Sequence, residues 1–136
     1  MSSNTTTTIQ AICAKGYQHY SKGDYDDALR LFYQAWVKLP KPQTQEANAE
    51  TVLAAIGDTY YRMKKYELAI EALRSALACE QTEARSLVEM RLGQTLLNTG
   101  HDLQAITYLQ RAYRLGGHAV FENEDPKYKE AISDFL

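Results

Sequence analysis

The chain has 136 residues, a formal net charge of -2 at pH 7 and two cysteines, Cys13 and Cys79. Its length suits one domain with a real core, and its charge provides no basic field for nucleic acid or an anionic membrane. Two distant cysteines indicate reduced thiols in a cytoplasmic protein rather than a disulfide scaffold. The polar start MSSNTTTTIQ is not a secretory signal, and no apolar run is long enough to span a bilayer.

Residues 1–8 are a Ser/Thr/Asn tract, which predicts disorder because such a segment has little apolar surface to bury. From Ile9 onward, apolar residues recur at helical spacing. Gly23 suits the left-handed position that follows a helix. A second apolar stripe at helical spacing follows, and Pro40 stops it. The sequence therefore predicts a helical hairpin at about 9–42.

Two further hairpins are predicted at about 50–83 and 86–119. The copies are not evenly spaced: Gly57 follows Gly16 by 41 residues, and Gly93 follows Gly57 by 36 residues. Thr44 is a candidate helix cap within the longer connection. We therefore expect the inserted residues to extend the next helix at its start rather than to form a loop.

A seventh, capping helix is predicted at about 126–136. Gly116 and Gly117 end the sixth helix, and the acidic loop FENED leads to Asp125 and Pro126, which suit the N-cap and first helical positions. The apolar face of the capping helix would carry Tyr128, Ala131, Ile132 and Phe135. This helix could pack on the sixth helix, where a terminal repeat needs a cover, or fold back into a groove on the hairpins and block it.

A short pattern of small and large residues occurs three times at constant spacing. The three series are Gly16, Ala28, Phe32, Ala35; Gly57, Ala69, Leu73, Ala76; and Gly93, Ala105, Leu109, Ala112. Small residues let paired helices approach closely where they cross. The pattern resembles the tetratricopeptide repeat, a helix–turn–helix unit of about 34 residues. The resemblance implies an all-α fold: three hairpins in a right-handed superhelix, with the capping helix, as a single domain over 9–136.

In this family the first helices of the hairpins line a concave groove that binds a protein or peptide partner. Carried over through the repeats, the contact places are Cys13, Tyr17, Tyr20 and Ser21; Ala54, Asp58, Tyr61 and Arg62; and Met90, Gln94, Leu97 and Asn98. Tyrosines suit an interface because they offer a large contact area with few torsions to restrict. Tyr17 and Tyr61 are the favoured contacts, whereas Tyr20 and Leu97 could equally pack against adjacent helices.

The family's clamp for a C-terminal carboxylate uses a Lys and an Asn in the first repeat. The matching residues here are Cys13 and Tyr17, which cannot supply those donors. We therefore predict that the chain does not bind acidic EEVD-type peptides.

Signals of catalysis, metal binding or a cofactor are lacking in the sequence. His19, His101 and His118 have no second ligand at a metal-binding spacing. There is no nucleophile elbow, phosphate loop or HExxH motif. Cys13 could be a reactive thiol near Lys15 and His19, although a packed core thiol is the simpler interpretation. We therefore predict a protein that is not an enzyme and needs neither metal nor cofactor.

The phrases WVKLPKP, AIGDTYY, RLGQ and RAYRLGG…FENEDPKY resemble a group of small bacterial stand-alone tetratricopeptide repeat proteins. Members of that group occur near polymorphic-toxin genes, which implies an immunity protein that binds a toxin domain. A chaperone of the type III secretion kind is the alternative, because such chaperones share the size and repeat number. A structural adaptor that self-associates through Phe32, Trp36 and Phe121 is a third possibility. The sequence leaves the oligomeric state open.

Overall fold

The computed structural model describes residues 3–136, which form seven α-helices and three short 3-10 helices. The α-helices are α1 Ser3–Ser21, α2 Tyr25–Val37, α3 Ala49–Arg62, α4 Tyr66–Leu77, α5 Arg85–Asn98, α6 Asp102–Gly116 and α7 Pro126–Glu130. The 3-10 helices are Gln43–Gln45, Gly117–Phe121 and Ser133–Phe135. Helices α1 to α6 pack as three successive hairpins. The predicted all-α hairpin architecture is confirmed, and none of the described helices is long and apolar enough to cross a bilayer.

The repeated glycines lie where the two helices of each hairpin cross. A Cβ atom added at Gly57 would lie 2.5 Å from Leu73 Cγ, and one at Gly16 would lie 2.5 Å from Phe32 Cε1. Gly93 meets Leu109 in the same way. Real Cβ atoms do not approach other atoms so closely, because packed interiors have no spare volume. The repeat pattern in the sequence therefore reflects three places where paired helices cross closely.

A buried carboxylate joins the second hairpin to the third. Glu50, at the start of α3, is completely buried. It accepts hydrogen bonds from Thr82 N at 2.6 Å, from Thr82 Oγ1 at 2.8 Å and from the Arg85 guanidinium. Thr82 lies in the connection between α4 and α5, and Arg85 is the first residue of α5. These bonds compensate for the burial of the charge and fix the α4–α5 connection against α3.

The N-terminal part of the chain differs from the prediction. Helix α1 begins at Ser3, so the expected disorder of residues 1–8 is wrong for residues 3–8, and residues 1 and 2 lie outside the described residues. The Thr8 hydroxyl donates to the Asn4 carbonyl at 2.8 Å, within the helix. Ile9 is buried in the core, so the helix is anchored at that point and continues toward the N-terminus.

The connection between the first two hairpins also differs from the prediction. The inserted residues form a 3-10 turn at Gln43–Gln45, and α3 begins only at Ala49. Thr44 therefore does not cap an extended α3. The Gln43 side chain donates from Nε2 to the Trp36 carbonyl at 2.9 Å, which satisfies a group at the end of α2.

The C-terminal end is less helical than predicted. Asp125 caps α7 by accepting a hydrogen bond from Lys127 N at 3.0 Å, and Pro126 is its first residue, as predicted. Helix α7 ends at Glu130, however, because the backbone of Ile132 leaves the helical region before a final 3-10 turn. Tyr128 and Ile132 are buried in a small core with Met90, Leu109, Ala112 and Phe121. Phe135, which was predicted for the same face, is exposed.

Candidate partner-binding groove

Helices α1, α3 and α5 stand side by side, because α3 packs against both of the others. We call the face that these three helices form the inner face. Helix α5 is enclosed on nearly all sides, so its residues from Val88 to Leu96 are buried. Four of them, Glu89, Arg91, Gln94 and Thr95, are polar and need partners inside the fold.

A polar network crosses the inner face and joins its three helices. Asp58 Oδ1 of α3 accepts hydrogen bonds from the Tyr20 hydroxyl of α1 at 2.8 Å and from Arg91 Nε of α5 at 2.7 Å. The Arg91 and Asp58 side chains are only 7% and 4% exposed. Arg62 Nε donates to the Tyr20 hydroxyl at 2.9 Å. Charge pairing and hydrogen bonding together make this burial tolerable.

The C-terminal segment, residues 117–136, supplies the next member of the network. Glu124 Oε1 accepts from Arg91 Nη1 at 2.8 Å and from Gln94 Nε2 at 2.7 Å. Glu124 Oε2 lies 3.4 Å from Arg62 Nη2. The Glu124 side chain is 11% exposed. The C-terminal segment therefore folds back over the inner face at α3 and α5.

Tyr128 makes a second contact between the C-terminal segment and the inner face. Its hydroxyl lies 2.9 Å from the Tyr61 hydroxyl of α3 and 2.9 Å from Asn98 Nδ2 of α5. The Lys127 Nζ atom lies 5.1 Å from the centre of the Tyr128 ring, which is a cation–π distance. Tyr128 thus ties α7 to the ends of two inner-face helices.

A cleft of about 520 Å³ remains between the C-terminal segment and the α3–α4 turn. We call it the tyrosine cleft. Its lining residues are Tyr61, Arg62, Lys64, Tyr66, Asn98, Asn123, Glu124, Asp125, Lys127 and Tyr128. The lining combines three aromatic rings with three cations, two carboxylates and two amides, so it offers both apolar area and many hydrogen-bonding groups. Such a surface suits a protein segment better than an apolar small molecule.

The residues predicted to line the groove do not share one environment. Cys13, Ala54, Asp58, Met90 and Gln94 are buried. Tyr17, Tyr20, Tyr61, Leu97 and Asn98 are half-buried, and Ser21 and Arg62 are exposed. Only Tyr61, Arg62 and Asn98 meet in the tyrosine cleft. Of the other predicted positions, Ser21 is exposed outside the cleft, and the rest are buried or half-buried.

Three important residues were missed at the sequence level: Arg91, Glu124 and Tyr128. A guanidinium between two apolar residues, in the run Met90-Arg91-Leu92, was the one available signal of a buried cation. Two of the proposed self-association contacts are also wrong. Phe32 is completely buried and Phe121 is nearly so, because both pack in the core.

Burial governs the ionisation of the inner-face residues. Burial raises the pKa of the Cys13 thiol to about 11, and burial, with the nearby Asp58 charge, raises the pKa of Tyr20 to about 12. Burial alone would lower the pKa of Arg91. The negative charges of Asp58 and Glu124 outweigh this effect of burial, so the pKa of Arg91 is raised. Within residues 3–136, no three His, Cys, Asp or Glu residues come close enough to hold a metal ion.

Comparison with known proteins agrees with this architecture. Residues 16–37 and 51–79 match models of the tetratricopeptide repeat. No curated protein matches the chain in sequence. The type III secretion chaperone SycD of Yersinia enterocolitica, in complex with a peptide of the translocator YopD, is similar in structure: TM-score 0.72, 17% identity, covering 94% of this chain and 92% of that one.

Two further solved structures have the same fold. The first tetratricopeptide repeat domain of Spaghetti (RPAP3), bound to the HSP90 peptide SRMEEVD, has a TM-score of 0.70 and 16% identity, covering 93% of this chain and 88% of that one. The first such domain of human RPAP3 has a TM-score of 0.70 and 18% identity, covering 93% of each chain. The chain therefore has the tetratricopeptide repeat fold, and its residues 16–37 and 51–79 match that repeat family.

Proposed function

We propose that this protein is a non-catalytic, cytoplasmic binding module that holds one protein partner at the tyrosine cleft on its inner face. The observation that carries the proposal is the convergence of Tyr61, Tyr66 and Tyr128 with Arg62 and Asn98 around one open cleft. Tyrosine and arginine are, with tryptophan, the residue types enriched among the contacts that contribute most to protein interfaces. The SycD and RPAP3 structures support the proposal, since each of these similar folds holds a peptide.

Within this class we favour an immunity protein that binds a toxin domain, with a secretion chaperone as the alternative. The two differ in genetic context: an adjacent toxin gene supports immunity, and adjacent translocator genes support the chaperone. A role as self-associating adaptor is less well supported, because Phe32 and Phe121 are buried and only Trp36 of the three proposed contacts is partly accessible.

The test is co-expression of the full chain with the product of the adjacent gene, followed by calorimetry of the purified pair. The Y61A/Y66A variant should weaken binding by more than about 1 kcal/mol if the cleft holds the partner. Y108A is the matched control, because Tyr108 is also half-buried but lies on α6. Equal weakening by both variants, or none by Y61A/Y66A, would place the interface elsewhere. Failure of the adjacent product to bind at all would contradict the proposed pairing.

For immunity, the readout is growth of cells that express the adjacent toxin. The wild-type chain should restore growth, and Y61A/Y66A should do so less well than Y108A. No restoration by the wild-type chain would count against immunity and leave the chaperone role to be tested with the translocator.

A further inference from the structure

Three donors on the inner face converge on a single carboxylate. Arg91 Nη1 and Gln94 Nε2 both donate to Glu124 Oε1, at 2.8 and 2.7 Å, and Arg62 Nη2 approaches Oε2 at 3.4 Å. The donors come from α3 and α5, whereas the carboxylate comes from a loop of the C-terminal segment. The donors therefore belong to the helical scaffold, and the acceptor is delivered to them.

The charges around this point require a second carboxylate. Arg91 and Arg62 bring two positive charges, and Asp58 brings one negative charge that is bonded to Arg91 and to Tyr20. Without Glu124, Arg91 would keep Asp58 as its charged partner, but Arg62 would lose its carboxylate and the amide of the fully buried Gln94 would lose the acceptor of its Nε2. Two cations and a buried donor would then face one carboxylate, so this place favours an anion whether or not Glu124 is the group that supplies it.

The loop that carries Glu124 is more exposed than the helices that carry the donors. Its neighbouring residues Glu122, Asn123 and Asp125 are exposed, and Asn123 has a positive φ of 65°. The firm contacts of the C-terminal segment lie on either side of the loop, at Phe121 and Tyr128. An exchange of Glu124 for another carboxylate would replace each charged hydrogen bond with an equivalent one.

We propose that Arg62, Arg91 and Gln94 form a carboxylate-binding site that the chain occupies with its own Glu124 and that accepts a carboxylate from a separate molecule when Glu124 is absent. The C-terminal segment is then an internal ligand, and an acidic side chain of the partner takes its place on binding. This last step rests on the proposed function, whereas the carboxylate site does not.

The experiment uses the full-length E124A variant and propionate, which matches the end of the removed side chain. Propionate should raise the melting temperature of E124A by about 2 °C at a concentration equal to its Kd. Propionamide at the same concentration, with sodium chloride to equal ionic strength, should not do so. E122A is the matched control, because Glu122 is an exposed acid of the same loop.

A second variant tests whether the propionate effect depends on the donors of the proposed site. E124A/Q94L lacks one donor of the site and should lose the propionate effect. If E124A is unfolded in chloride, the same titration is followed by far-ultraviolet circular dichroism, and propionate should restore helix. An equal response of E124A, E122A and the wild-type chain, or of E124A to propionate and propionamide, overturns the proposal. Since propionate is the probe, this failure is distinguishable from failure of the adjacent gene product to bind.

Discussion

The guanidinium of Arg91 lies 2.7 Å from Asp58 Oδ1, and both side chains are more than nine-tenths buried. This pair connects the second hairpin to the third through α3 and α5. Both charges are buried and paired with each other. Removal of one therefore leaves the other buried without an adequate partner.

R91M should therefore lower the free energy of unfolding by about 3 to 5 kcal/mol, the usual cost of leaving one member of a buried ion pair unpaired. Urea denaturation measures the change. R114M is the matched control, because Arg114 is exposed and should change stability little. The double variant D58A/R91M should be more stable than R91M. A double variant that loses the sum of both single effects would show that the two residues do not interact.

G57A should destabilise the protein by about 1 to 3 kcal/mol, because the new methyl group would overlap the Leu73 side chain. Thermal or urea unfolding gives the value. The effect should depend on Leu73, so G57A should cost less in an L73A background than in the wild-type chain. An equal cost in both backgrounds would mean that helix propensity or backbone strain, rather than overlap, decides the effect.

E89Q should stabilise the protein at neutral pH. Glu89 is buried, and its Oε2 atom has no hydrogen-bond partner among the described residues. Burial raises the pKa of its carboxyl group in the folded state, although Arg111 and Arg85 partly oppose this. Above the unfolded pKa the folded chain therefore holds the proton longer than the unfolded chain, and stability falls as pH rises through the folded pKa.

The gain should be on the order of 1 kcal/mol at pH 7 and should shrink toward pH 4, because the neutral carboxylic acid and the amide are then alike in charge. Urea unfolding at several pH values measures both. E83Q is the control, because Glu83 is exposed. A constant E89Q effect across this pH range would contradict the assigned ionisation.

Cys13 should react slowly with a thiol reagent such as Ellman's reagent in the folded protein. Its pKa of about 11 leaves little thiolate at pH 8, and the side chain is buried. Labelling of a C79S variant isolates Cys13. The rate should increase by at least about a hundredfold in denaturing urea, where the thiol returns to an ordinary pKa. Fast labelling of the native protein would restore the idea of a reactive thiol.

The hairpins could be predicted from the sequence because their packing requires a specific residue type at a specific place. A methyl group at Gly57 would overlap Leu73, so the glycine itself marks the helix crossing in the sequence. The connection at Gln43–Gln45 could not be predicted in the same way. Thr44 is an acceptable cap in isolation, and only the bond from Gln43 to Trp36 shows that the chain turns earlier.

The site was harder to predict than the fold, because its key contacts join residues that are distant in sequence. Glu124 and Arg91 are separated by 33 residues, and Tyr128 and Tyr61 by 67. A local periodicity in the sequence does not indicate contacts between residues this far apart in the chain. The resemblance to the repeat family led to Tyr61, Arg62 and Asn98, which line the cleft, but it did not lead to Glu124 and Tyr128 of the C-terminal segment.

In a repeat protein each unit touches only its neighbours. Small changes at each junction between repeats therefore add up to a large change in the curvature of the whole array. The chain of bonds from Tyr20 through Asp58 and Arg91 to Glu124 runs from the first repeat to the last and ends on the C-terminal segment. These bonds span the curved inner face, so an increase or a decrease in its curvature would stretch or compress charged hydrogen bonds. The curvature of the inner face is thereby set before a partner arrives, and a partner of matching shape would lose less entropy on binding than one that had to shape a pliable surface.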